Sequence, residues 1–187
     1  MEPVSLRAEA GIGWITIDNP PVNALCHALR AGLAEALDRA AADRAVKVIV
    51  LRGAGRVWSA GADIGEFDRV AEAPTLAAVC ARLAALDTPV IAALHGSVLG
   101  GGLELALCAR LRIAAPGTEF GLPEVSLGLL PGAGGTQRLP RLIGASAALG
   151  MMLSGLPVKA ELAEATGLVD AVTEGDLDAM ATRLAEA

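Results

Sequence analysis

The stretch Pro89-Val90-Ile91-Ala92-Ala93-Leu94-His95-Gly96-Ser97-Val98-Leu99-Gly100-Gly101-Gly102-Leu103-Glu104 decides how this chain folds. Val90–Leu94 is a short, unbroken apolar run, the pattern of a strand buried on both faces. Three glycines then lead into Leu103–Cys108, which reads as a helix. Glycines before a helix leave main-chain N–H groups accessible, and the helix start adds partial positive charge. Such a place suits an anion or a developing oxyanion. Glu104 falls in the first turn of that helix, with two readings open: a carboxylate complementing the helix dipole, or one held beside an oxyanion site.

Upstream, Val4–Ala8 and Gly13–Ile17 read as strands, and Asp18-Asn19-Pro20-Pro21 as a turn. Leu25, Leu29, Leu33 and Leu37 recur at every fourth position, one stripe of an amphipathic helix. Val46–Leu51 is a second buried strand, followed by a loop from Gly53 to Asp63. Leu76, Val79, Cys80 and Leu83 predict another helix. Downstream come a strand over Leu111–Ala114, irregular chain through Pro123 and Pro131, and short helices over Gly135–Ile143 and Ser146–Leu153. A last amphipathic helix is marked by Leu177, Met180 and Leu184. With no interior linker, residues 1–187 read as one α/β domain.

Composition narrows the function. The core must be aliphatic, because 53% of residues are hydrophobic but only 2% aromatic. A net charge of -6 with no basic stripe argues against nucleic acid or an anionic membrane as partner. Thr88–Leu103 is uncharged up to its end but broken by Pro89 and glycines, so no membrane span is expected. Cys26, Cys80 and Cys108 are widely spaced and read as buried thiols of a reducing compartment. The N-terminal residues Glu2, Arg7 and Glu9 interrupt any leader-like apolar run, so a cytoplasmic protein is expected. His27 and His95, the two histidines, read as hydrogen-bonded structural residues, and no metal site is expected.

Three further segments bear on chemistry. In Ser59-Ala60-Gly61-Ala62-Asp63 small residues allow close approach to the main chain, and Asp63 is a natural helix cap whose bond would fix the Ala62 amide. Glu124, within Gly121-Leu122-Pro123-Glu124, is either a solvent-facing carboxylate or one whose apolar surroundings raise its pKa for proton transfer. Gly132-Ala133-Gly134-Gly135-Thr136-Gln137-Arg138 lacks the Gly-Lys-Ser/Thr ending of a phosphate loop, so helix-start glycines are the favoured reading. Ser97 lacks the second glycine of a nucleophile elbow.

Taken together, Gly53–Asp63, Pro89–Leu107, Phe120–Glu124, Pro131–Pro140 and Asn19-Pro20-Pro21-Val22-Asn23-Ala24 resemble the crotonase (enoyl-CoA hydratase/isomerase) family, over about Val4 to Asp170. Val22-Asn23-Ala24-Leu25 and Ala92-Ala93-Leu94-His95-Gly96 are similar to the N-terminal part of multifunctional β-oxidation enzymes. The resemblance implies a crotonase-like ββα superhelical core and a CoA thioester whose carbonyl sits between the amides of Ala62 and Gly101. It assigns Glu104 and Glu124 as catalytic carboxylates, and Ala60, Gly61, Asp63, Ile64, Gly102 and Leu127 as substrate-binding positions. The implied reaction hydrates trans-2-enoyl-CoA in fatty-acid β-oxidation, with Δ3-Δ2 isomerisation as a second activity and no cofactor beyond the substrate's own coenzyme A. Implied partners are a trimer-type homo-oligomer or a downstream dehydrogenase. Gly65 stands where relatives often carry Lys or Arg, so a CoA phosphate contact is expected to be lost. The family's helical C-terminal region is expected to be truncated. The competing expectation is a shortened paralogue that binds acyl-CoA or a partner without turnover.

Overall fold

The structure is a computed structural model that describes residues 2–67, 70 and 72–186. The chain begins with strands β1 (Val4–Glu9) and β2 (Ile12–Ile17), paired antiparallel, and continues into helix α1 (His27–Ala42). Leu25, Leu29, Leu33 and Leu37 are all fully buried, so the leucine stripe packs onto the sheet. Strand β3 (Val48–Gly53) returns parallel to β2. A short 3-10 turn, Ile64–Glu66, follows, then helix α2 (Leu76–Ala84), which Thr75 caps by accepting from the Ala78 amide at 3.2 Å.

Strand β4 (Val90–Leu94) lies parallel to β3, and its five residues are all buried. Next come β5 (Ser97–Leu99), α3 (Gly101–Ala106), β6 (Leu111–Ala114) and β7 (Glu119–Gly121). A 3-10 helix, Pro123–Leu127, precedes α4 (Gly135–Ile143) and α5 (Ala145–Ser154). The chain then passes through β8 (Val158–Lys159), α6 (Ala160–Ala165), β9 (Ala171–Val172) and α7 (Leu177–Ala185).

Two sheets result, ordered β1-β2-β3-β4-β6-β9 and β5-β7-β8. The alternation along β3 shows why its sequence is apolar throughout. Ile49 and Leu51 face the large core beneath α1 and α2, while Val50 joins Ile91 and Ile113 on the opposite face. Helix α7 covers that second face with Leu177, Met180, Ala181 and Leu184. A sheet covered on both faces shows no strict two-residue alternation.

The irregular chain expected through Pro123 contains strand β7 and the 3-10 helix instead. Strands β5, β8 and β9, and helix α6, also escape the sequence reading. They are two to six residues long, too short for a hydrophobic period to appear. Among the described residues, no helix is long and apolar enough to cross a membrane.

Candidate active site

The end of β4 and the small second sheet set the position of the glycine run. Ser59 bridges Val98 in parallel register, and the Leu99 amide donates to the Ser59 carbonyl at 3.0 Å. This brings the loop after β3 against the start of α3. Gly100, at φ 50° and ψ -127°, takes a backbone conformation closed to most side chains and turns the chain into α3. Gly61, at φ 101°, faces it: a Cβ there would lie 2.8 Å from the Leu99 carbonyl oxygen and 3.1 Å from the Gly101 nitrogen.

The main chain at Ala62 comes close to that at Gly101. A Cβ on Gly101 would stand 3.3 Å from the Ala62 nitrogen. Among the described residues, neither amide donates to any acceptor. Two adjacent N–H groups without acceptors can receive a negatively charged oxygen. Gly102 sits one residue further into α3. It packs onto Ser59, with its missing Cβ only 2.8 Å from the Ser59 carbonyl oxygen, and so lets α3 approach the loop.

Glu104 is 3% exposed. One of its oxygens, Oε1, accepts from the amides of Ala133 and Gly135, at 2.7 and 2.8 Å. The Gly132–Gly135 glycines thus start α4, as read, and also grip this carboxylate. Arg138 fastens the same loop by donating to the Ala133 carbonyl at 2.9 Å. Burial pushes the Glu104 pKa above the ordinary carboxylate range, against the opposing pull of the Gly135 and Ala133 amides and the Arg138 charge.

Glu124 approaches from the 3-10 helix. Its Oε1 is 3.3 Å from where a Cβ of Gly100 would stand, and its shielded Oε2 has no hydrogen-bond partner among the described residues. Burial raises its pKa against the pull of its own main-chain amide, and the charge of Glu104 adds to the rise. Of the two readings of Glu124, the structure therefore selects the shielded one. Carboxylates twenty positions apart come within electrostatic reach. Their environments differ, since Glu104 holds two amide donors while Oε2 of Glu124 holds none.

Ala60 is exposed and donates to the Val22 carbonyl at 2.9 Å, and Asp63 caps the 3-10 turn by accepting from the Gly65 amide at 2.9 Å. Ile64 and Leu127 lie exposed. Ala62, Phe67 and Leu76 line a cleft of about 390 Å³ beside the amide pair. Its wall is braced by Arg30, which pairs with Glu66 at 2.6 Å and donates to the Leu25 and Pro74 carbonyls. Burial alone would raise the Glu66 pKa, but Arg30 and the His27 amide more than offset it and hold the carboxyl below its ordinary value.

Sequence reasoning missed Asn23 as an organiser. Its side-chain amide donates to the carbonyls of Ala54, Val57 and Trp58, while its oxygen accepts from the Asn19 amide at 2.7 Å. It sits at φ 50°, a conformation Asn tolerates better than most residues, and that tolerance is the signal that marks it. His27 and His95 each hydrogen-bond a main-chain carbonyl, of Ala73 and Gly55, in keeping with structural roles. The expectation of three buried thiols needs correction, because only Cys80 is buried, while Cys26 and Cys108 are half-buried. Among the described residues no three His, Cys, Asp or Glu side chains gather as a metal-ligand set.

The sequence profile of the Enoyl-CoA hydratase/isomerase family matches residues 7–186. The chain is 43% identical over 176 residues to a probable enoyl-CoA hydratase of Bacillus subtilis, covering 90% of this chain and 68% of the relative. It is 47% identical over 163 residues to the peroxisomal bifunctional enzyme of Danio rerio, spanning 87% of this chain but 23% of that protein. Among solved structures, an enoyl-CoA hydratase subunit from Geobacillus kaustophilus superposes with a TM-score of 0.90 at 41% identity, over 98% of this chain and 74% of the other. Pseudomonas aeruginosa DspI superposes with a TM-score of 0.93 at 34% identity, over 100% and 74%. The expected crotonase-like α/β fold is thereby established.

Proposed function

Because the chain belongs to the enoyl-CoA hydratase/isomerase family, we propose that it adds water across the double bond of a trans-2-enoyl-CoA to give the 3-hydroxyacyl-CoA. The observation that carries this reading is the pairing of two carboxylates in unlike environments with two amides that lack acceptors. The thioester oxygen sits between the Ala62 and Gly101 amides. As the enolate forms there, each such donor lowers the barrier by about 3 kcal/mol.

The unlike environments divide the proton work. Glu104, with two amide donors and Arg138 nearby, is the better carrier of negative charge and takes a proton from the attacking water. Glu124, unbonded at Oε2 and repelled by Glu104, is the better carrier of the proton and delivers it to the α-carbon. Water oxygen bonds to the β-carbon, and a proton passing from Glu104 to Glu124 resets the site. These steps call for no resident cofactor, coenzyme A being part of the substrate. The cleft beside Ala62 receives the acyl chain, against its apolar wall of Phe67 and Leu76. Δ3-Δ2 isomerisation would need only one carboxylate to move a proton between carbons.

The proposal places this step in cytoplasmic fatty-acid β-oxidation, where a 3-hydroxyacyl-CoA dehydrogenase would consume the product. Exposed Leu149, Leu153 and Leu156 support self-association, which would bury them. The test is loss of the conjugated enoyl-thioester absorbance when the purified chain meets crotonyl-CoA. Turnover lost in Glu124→Gln supports the reading. Acyl-CoA binding without turnover in the unaltered chain would favour the binding-only alternative.

A further inference from the structure

A second cleft, of about 750 Å³, opens where the end of α2, the exit of α3 and helix α4 meet. It shares no lining residue with the cleft beside Ala62. Four arginines line it: Arg110 just before β6, Arg112 on β6, and Arg138 and Arg141 on α4. The last two stand three positions apart, on one face of their helix. Among the described residues that line the cleft, Asp87 is the one carboxylate, and Thr88 adds a hydroxyl.

The four cations differ in what already engages them. Arg112 is buried, pairs with Asp170 at 3.1 Å and donates to the Leu168 and Ala109 carbonyls, so the fold itself occupies it. Arg110 and Arg141 are exposed and Arg138 is half-buried, and none of the three takes part in an ion pair among the described residues. Arg138 uses Nη1 on the Ala133 carbonyl and Arg141 uses Nη1 on the Gln137 carbonyl. Arg141, in the last turn of α4, also suits the negative end of the helix dipole. That accounts for one cation, and not for three gathered on one concave surface of a chain whose net charge is -6. A concavity lined by one sign of charge concentrates counter-ions, and guanidinium groups grip phosphate oxygens two at a time. The volume lies within the range of about 300–1,000 Å³ usual for small-molecule sites.

We propose that this cleft binds a small molecule carrying a diphosphate group, held by Arg110, Arg138 and Arg141. Three guanidinium groups without carboxylate partners call for more than one negative charge, which a diphosphate supplies and a single carboxylate does not. The space beyond the arginines leaves room for the rest of the molecule. A ligand held there stands two hydrogen bonds from a catalytic carboxylate. Arg138 donates to the Ala133 carbonyl at 2.9 Å, and the Ala133 amide donates to Glu104 Oε1 at 2.7 Å.

The test is isothermal titration calorimetry of the full chain with inorganic pyrophosphate at constant ionic strength. It needs no turnover, so it is decided separately from hydration. The expected result is one site per chain, weakened about tenfold or more in Arg110→Ala and in Arg141→Ala. Both replaced side chains are exposed, so these variants should melt as the parent does. Arg138 stays in place because it fastens the loop that grips Glu104. Arg82→Ala removes a cation outside the cleft, paired with Asp38 at 3.0 Å, and should leave the affinity as it is in the parent. No binding to the parent chain, or an affinity unchanged in both cleft variants, would overturn the proposal. So would an equal loss in Arg82→Ala, which would mean that net charge alone attracts the anion.

Discussion

Replacing Glu104 by Gln and by Ala separates its chemical part from its structural one. In the Gln variant the side-chain oxygen can still accept from the Ala133 and Gly135 amides, which lie 2.7 and 2.8 Å from Glu104 Oε1 in the unaltered chain. Its loss of charge removes the base, so hydration should fall by about 10²–10⁴-fold. Stability should change little, because the weaker neutral hydrogen bonds are offset by relief of a buried charge. The Ala variant leaves both amides without an acceptor in a buried site. Each unpaired group costs about 1–3 kcal/mol, so Ala should unfold roughly 2–6 kcal/mol more easily than Gln while losing a similar amount of activity. Urea unfolding of the two variants, beside the enoyl-thioester absorbance assay, measures both effects. Equal unfolding midpoints would refute the claim that Glu104 holds the Gly132–Gly135 loop. Near-normal turnover in the Gln variant would refute its role as base.

Glu124→Gln should also sharply reduce hydration, and it carries a pH signature. A carboxyl whose folded-state pKa is raised contributes its stability below the unfolded value and loses it as pH rises through the folded value. Thermal unfolding across that window should therefore show the Gln variant gaining on the unaltered protein as pH rises; a constant difference would contradict the shielded carboxyl. Gly61→Ala places a Cβ 2.8 Å from the Leu99 carbonyl oxygen at φ 101°, and should cost about 1–3 kcal/mol of stability and most of the turnover. A melting temperature unchanged from the parent would count against the close approach described. Asn23→Ala strips one bond donor group from three carbonyls and should cost roughly 2–4 kcal/mol, read as a lowered urea midpoint. A midpoint equal to the parent's would show that these carbonyls find other partners.

The long elements were legible in the residues themselves. The leucine stripe of α1, the β-branched run of β3 and the buried β4 each repeat a local pattern over enough residues for a period to appear. Candidate groups were legible too, since carboxylates beside glycine runs and an Asp before a short turn are local features. The sequence by itself thus determined an α/β chain with an aliphatic core, and the residue types its chemistry would draw on. Which groups meet was decided only by the tertiary structure. Asn23 reaching Ala54, Val57 and Trp58, and Glu104 gripped by Ala133 and Gly135, join distant positions. The electrostatics follow from the same closures. A carboxyl's pKa depends on the water, dipoles and charges around it, and those are set by how β5 and α3 dock against the loop at Ser59 rather than by the neighbours in the chain.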